Sequence, residues 1–218
     1  MDRTAAWTSP VPRLAPTCRA PPHEAFLSVR SHLADFVDSR PTWWGEAARA
    51  LLSTDAAFDE WERLLVDGWI QYGYRGPEGD RLVDVFVRER GERLGADERV
   101  AIERLREAWF SLFEVAEVRR GQGLDLVDLV SGRTIFLHEA KATDYQDPGN
   151  LLLGWLVDLA DGYRSAGGLA VLPPALRAGL VTVLAGERSR LSAASAAAGT
   201  DTISAAALPA MGIEPVTW

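Results

Sequence analysis

Asp125, Glu139, Ala140 and Lys141 stand in the spacing D-x(13)-E-A-K. Two carboxylates on adjacent strands can hold a divalent cation such as Mg2+. The cation polarises a phosphate and lowers the pKa of a bound water. A lysine on the glutamate's side then positions or activates that water. Glu139 and Lys141 are two residues apart, so an extended strand presents both on one face. The chemistry would be metal-dependent phosphodiester cleavage, with Asp125 and Glu139 as metal ligands and Lys141 beside the water.

The spacing is that of the PD-(D/E)xK nuclease pattern, without the proline before the aspartate. The plainer reading makes these three the solvent-facing residues of an ordinary hairpin. Asp125 alternates with Leu124 and Leu126, as any half-exposed strand residue does. On the plainer reading, which we take first, there is no catalytic residue, cofactor or metal; the nuclease with Mg2+ is the alternative. His138 adjoins Glu139 and so points to the opposite strand face. His23 and His32 lack the i, i+4 spacing of a helical metal pair. Cys18 lies in a proline-rich stretch with no histidine partner argued by spacing. Gly121-Gln122-Gly123 is a turn without a phosphate-binding pattern. Trp43, Trp44, Trp61, Trp69, Tyr72 and Tyr74 concentrate aromatics. Acidic Glu60, Glu62 and Asp67 among them favour helix–helix core packing over base stacking, with a protein-binding groove as the second reading.

The elements that would position these residues follow from periodicity. Pro21-Pro22 precedes a helix from His23, with Phe26, Val29, Leu33, Phe36 and Val37 on one stripe. Ser39-Arg40-Pro41 ends it. A short helix covers Trp44 to Leu52. Phe58, Trp61, Leu65 and Trp69 mark another, and Gly73 to Gly79 a turn region. Leu82, Val83 and Phe86 begin a short helix, and Asp97 to Phe110 carries a clear helical pattern. The period then changes to alternation. Three antiparallel strands are read at Leu112–Arg119, Leu124–Val130 and Arg133–Glu139, with turns at Arg120–Gly123 and Ser131-Gly132. Residues 143–149 are a loop. Residues 150–164 fit either a helix, which completes the nuclease order, or a hairpin. Asp161-Gly162 is a hairpin signal, and Gly154 in a helix costs about 1 kcal/mol, so strands are favoured. Gly168–Leu172 reads as a strand, and Pro173-Pro174 starts a helix through Leu184. The organisation is a flexible proline-rich lead (1–21), a helical part (22–111), a β-rich part with a closing helix (112–186) and an Ala/Ser-rich tail (187–218).

The 218 residues are 47% hydrophobic and 25% charged, as in a folded globular chain. One cysteine excludes an intramolecular disulfide and a thiolate zinc site. The net charge of −8 has no basic lobe within it, which argues against a nucleic-acid partner. Lys141 is the sole lysine. No stretch is apolar for 18 residues, so no membrane span is expected. The first 25 residues have five prolines and no apolar run, so no secretory signal is expected and the location is cytoplasmic.

Several positions between Phe58 and Leu184 form a pattern: Trp61 with Trp69-Ile70-Gln71-Tyr72, Gly79-Asp80-Arg81-Leu82, and Ser111-Leu112-Phe113-Glu114-Val115. Gly121-Gln122-Gly123-Leu124, Asp128-Leu129-Val130-Ser131-Gly132, Gly154-Trp155-Leu156-Val157 and Leu172-Pro173-Pro174 continue it. The chain resembles, at these positions, an uncharacterised bacterial family often attached to the SEC-C zinc motif. The resemblance implies a helical part followed by a small barrel-like β part. The SEC-C cysteines are absent here, so zinc binding does not carry over.

The expected fold is therefore α+β, an N-terminal helical part packed on a small antiparallel β-sheet or partly open barrel. The expected function is a non-enzymatic cytoplasmic interaction or accessory protein, with a protein partner or self-association. The alternative is the metal-dependent nuclease.

Overall fold

The computed structural model describes residues 20–52, 63, 66–76 and 79–182, the side chains of 48–52 excepted. The lead before residue 20, the Phe58–Trp61–Leu65 stripe and the Ala/Ser-rich tail lie outside the described residues. The class is α+β, with helices preceding a five-stranded barrel.

The alternating stretches make β1 (Trp109–Arg119), β2 (Gly123–Asp128) and β3 (Thr134–Leu137). Residues 150–164 are a hairpin, as favoured above: β4 (Leu151–Asp158) and β5 (Tyr163–Leu172). The barrel closes in the order β1-β2-β3-β5-β4. Four contacts are antiparallel. The fifth, between β3 and β5, is parallel and consists of one pair, Leu137 with Tyr163. The His138 N–H donates to the Tyr163 carbonyl beside it at 2.9 Å. Closure by this short parallel seam is what a reading of consecutive antiparallel strands does not contain.

The helical ambiguity of β4 has a physical cause. Seven consecutive residues, Leu151 to Val157, are buried. Leu152 and Leu156 fill the barrel interior with Phe113, Val115, Leu124, Leu126, Ile135 and Leu137. Leu151, Leu153, Trp155 and Val157 face outward into the helices. A strand covered on both sides reads as a continuous apolar run.

The helices supply that cover. The α1 helix (His23–Asp38) buries the five apolar residues of its stripe. The α2 helix (Pro41–Leu52) starts three residues earlier than its pattern suggests, because proline is well suited to a first helical position. The α3 helix (Leu82–Arg90) and the α4 helix (Ala96–Arg106) complete the layer. The helical pattern expected to reach Phe110 stops at Arg106. Trp109 and Phe110 instead open β1, opposite Leu156 and Trp155 of β4. Aromatic residues suit a half-buried pleated surface, and the partner strand outweighs the helical spacing. The last expected element begins as a 3-10 turn at Pro174–Leu176 and continues helical to residue 182.

The joint between layers is a π-turn, Trp69–Gly73, closed by Tyr74 N–H donating to the Trp69 carbonyl at 2.7 Å. It meets a bulge in β5, where Ala166, Gly167 and Gly168 stand opposite the single residue Trp155. The buried Tyr72 hydroxyl donates to the Ala166 carbonyl at 2.9 Å. Gly154 faces this bulge, and a Cβ there would lie 2.5 Å from the Gly168 carbonyl oxygen. The aromatic concentration is thus core: Trp69 and Tyr72 are buried, and Trp43, Trp44 and Tyr74 pack against the same cluster.

The β4–β5 connection is a four-residue loop, Leu159 to Gly162, rather than a tight Asp161-Gly162 turn. The Leu159 N–H donates to the Gly162 carbonyl at 3.0 Å. Ala160 sits there at φ 73°, in the left-handed region. That geometry costs a non-glycine residue about 1–2 kcal/mol, against about 0.5–1 kcal/mol for glycine's extra freedom when unfolded. Ala160→Gly is expected to raise stability by about 0.5–1 kcal/mol, measured by urea unfolding.

Between α3 and α4, Asp84 accepts from Arg81 Nε and Arg106 Nε, each at 2.8 Å. Burial pushes its carboxyl pKa up, but the hydrogen bonds and charges of the two arginines outweigh this and hold it below the usual range. A depressed folded pKa adds stability above the unfolded value, about 3.9, and loses it as pH falls through the folded value. The stability gap between the native chain and Asp84→Asn is therefore expected to be constant near neutrality. It should narrow below about pH 4, read by urea titrations along a pH series.

Candidate functional site: a cleft beside the barrel seam

The seam is short because β3 ends at Leu137. The Glu139 N–H turns back to the Leu137 carbonyl at 3.1 Å, and Lys141–Asp144 then forms a 3-10 turn. Beyond Tyr163, β5 therefore has no strand partner on its β3 side among the described residues. Residues 139–146 fill that place in the wall.

This segment is held from several sides. The buried Thr143 hydroxyl donates to the Ala140 carbonyl at 2.6 Å and accepts the Gly121 N–H at 3.1 Å. The β1–β2 turn thus anchors the 3-10 turn. Past it, Gly149 N–H donates to the Val115 carbonyl, and Val115 N–H to the Asn150 carbonyl. Asn150 Nδ2 also donates to Gln146 Oε1 at 3.2 Å, which orients the buried Gln146 amide.

Between the segment and β5 lies a cleft of about 210 Å³. Ala142, Leu152, Leu169 and Val171 give it an apolar lining, while Glu139, Gln146 and Ser165 supply polar groups. Leu152, Leu169 and Ala142 also belong to the barrel interior cluster. The cleft is thus a gap in the barrel wall floored by the core. Val171 is 53% exposed and Tyr145, on the 3-10 segment, is 79% exposed. The other exposed large apolar side chains among the described residues are Leu27 and Leu176.

The three residues of the D…E-A-K pattern are dispersed. Asp125 lies on β2, facing out of the barrel, with its carboxylate gripped by Arg119 at 2.6 and 2.9 Å. The Arg119 guanidinium in turn covers the Phe136 ring at 4.8 Å. Glu139 lines the cleft. Lys141 opens the 3-10 turn and is exposed. Glu139 and Lys141 do not share a strand face, because the strand they were expected to occupy stops two residues short of Glu139. The helix that the nuclease order needs at 150–164 is the β4–β5 hairpin. No group of three or more His, Cys, Asp or Glu among the described residues is placed to hold a metal ion. His138 packs edge-on against Phe136 at 4.7 Å, on the outer face and away from Glu139. His32 lies on α1, 3.7 Å from Glu98.

What the cleft offers chemically is one carboxylate above an apolar floor. Glu139 has no ion pair or side-chain hydrogen bond among the described residues. Sequence reasoning singled out Glu139 but missed Gln146, Ser165, Leu169 and Val171. Their signal is not local: the cleft exists because two strands part, and no spacing within either announces that. No family model matches the chain, and no curated protein or solved structure matches it either.

Proposed function

We propose that the chain is a non-enzymatic cytoplasmic interaction module, and that a segment of a protein partner docks across this cleft. The observation that carries the reading is the exposure of Val171 in an apolar cleft, with exposed Tyr145 on the segment that forms its preformed wall. Small-molecule sites run upward from about 300 Å³, so a cleft of about 210 Å³ suits a single protruding side chain. Tyrosine and exposed aliphatic residues are favoured contacts at such sites. Among the described residues no helix is long and apolar enough to cross a membrane.

The test is a selection of random dodecapeptides displayed on phage against the immobilised full chain. A selected peptide is then synthesised and titrated into isotope-labelled protein. The expected result is amide shift changes concentrated in residues 139–146 and 165–171, lost in Val171→Asp. Shifts centred elsewhere, no selected peptide, or a self-dimer that Val171→Asp dissociates would overturn it.

A further inference from the structure

We infer that the partner side chain taken into the cleft is a lysine or arginine; this rests on the reading of the cleft as a protein-docking site. Among the described residues, Glu139 is the only charged one lining the cleft. Exposed carboxylates such as Glu117 and Asp144 have water in place of an ion pair among the described residues, and several others are compensated: Asp125 by Arg119, Glu114 by Arg177, Glu89 by Arg40, and Asp84 by Arg81 and Arg106. Glu139 is not, although Lys141 is two residues away in sequence. A half-buried carboxylate beside an apolar floor is short of a countercharge that no described residue provides.

A long basic side chain satisfies both parts of the cleft at once. Its methylene stem lies against Leu152, Leu169 and Val171, and its charged head reaches the carboxylate at the rim. The guanidinium of arginine can also meet both carboxylate oxygens. A neutral apolar side chain would cover the floor and bury Glu139 without a partner. An acidic one would add like charge. The field of the whole molecule points the same way, since a net charge of −8 steers basic segments toward it. It also disfavours a second copy of this acidic chain as the occupant.

The test uses fluorescein-labelled seven-residue peptides of alternating threonine and valine with arginine, lysine, methionine or glutamate at the centre. They are titrated by anisotropy into the full chain and into Glu139→Gln and Val171→Asp. Glu139→Gln removes charge from a side chain without bonds, so its melting curve is expected to match the native one. The arginine and lysine peptides are expected to bind about fivefold tighter than the methionine peptide at low salt, with the glutamate peptide weakest. Glu139→Gln should erase that preference by weakening the arginine and lysine peptides, with the methionine peptide binding no more weakly than before. If methionine binds as well as arginine and Val171→Asp weakens both, the docking site stands and the basic preference is overturned. If no peptide responds to Val171→Asp, the docking reading falls as well. Binding of n-butylguanidinium alone as tightly as the arginine peptide would replace the protein partner with a small free cation and overturn the inference.

Discussion

Trp155→Ala is expected to destabilise the protein by about 3–5 kcal/mol, the largest effect of any single side chain considered. The indole is 4% exposed and stands where β4, β5 and the helical layer meet. Its ring centroid is 5.4 Å from Phe110 and 5.6 Å from Tyr72. Gly68 and Gly73 leave the room it occupies: a Cβ on Gly68 would lie 2.6 Å from Trp155 Cδ1. Removing the ring opens a cavity that backbone on both sides keeps from collapsing. The indole N–H has no hydrogen-bond partner among the described residues. Trp155→Phe therefore sacrifices volume but no bond, and should cost roughly half as much or less. Equal losses for the two variants in urea unfolding would show that the N–H, not the ring, carries the stability.

Asp128→Ala is the second, at about 3 kcal/mol. Asp128 is 4% exposed at the end of β2. Its Oδ1 accepts the Ser111 hydroxyl at 2.6 Å and the N–H groups of Val130 and Ser131 at 2.9 and 3.2 Å. One oxygen thus ties β1 to the β2–β3 turn. Alanine leaves the buried Ser111 hydroxyl without this acceptor and breaks the two bonds to the turn, at about 1 kcal/mol each. Asp128→Asn keeps a carbonyl oxygen in place and should lose about 1 kcal/mol, the difference between a charged and a neutral acceptor. A double-mutant cycle with Ser111→Ala separates the β1 tie from the turn: coupling below about 0.5 kcal/mol would assign the effect to the turn alone.

Much of the fold was legible from residue types. The stripe of Phe26, Val29, Leu33, Phe36 and Val37 marked α1, and Gly154 with Asp161-Gly162 argued correctly for the hairpin. Where the reading failed, a nonlocal contact had outweighed a local pattern. Trp109 and Phe110 continue the helical spacing of α4 but are taken by β4. Glu139 and Lys141 continue the alternation of β3, yet the chain folds into a 3-10 turn anchored by Thr143 and Gly121. The D…E-A-K spacing describes distance along the chain, and that turn undoes the strand geometry that gives the spacing meaning. The cleft was illegible for the same reason, since it is a missing pairing between β3 and β5.

The core shared by the two halves bears on how the chain is made. During synthesis the helical half emerges first, bearing the apolar faces of α1, α3 and α4. Part of the core they join, Leu151, Leu153, Trp155, Val157, Ala166 and Ala170, belongs to the last hairpin. Until β5 has left the ribosome, the early helices have an incomplete lining to fold against. Folding of this core is thus deferred until the last hairpin has emerged rather than advancing helix by helix. The nascent helical half, holding Tyr72 without Trp155 against it in the meantime, is the stretch on which a chaperone would act.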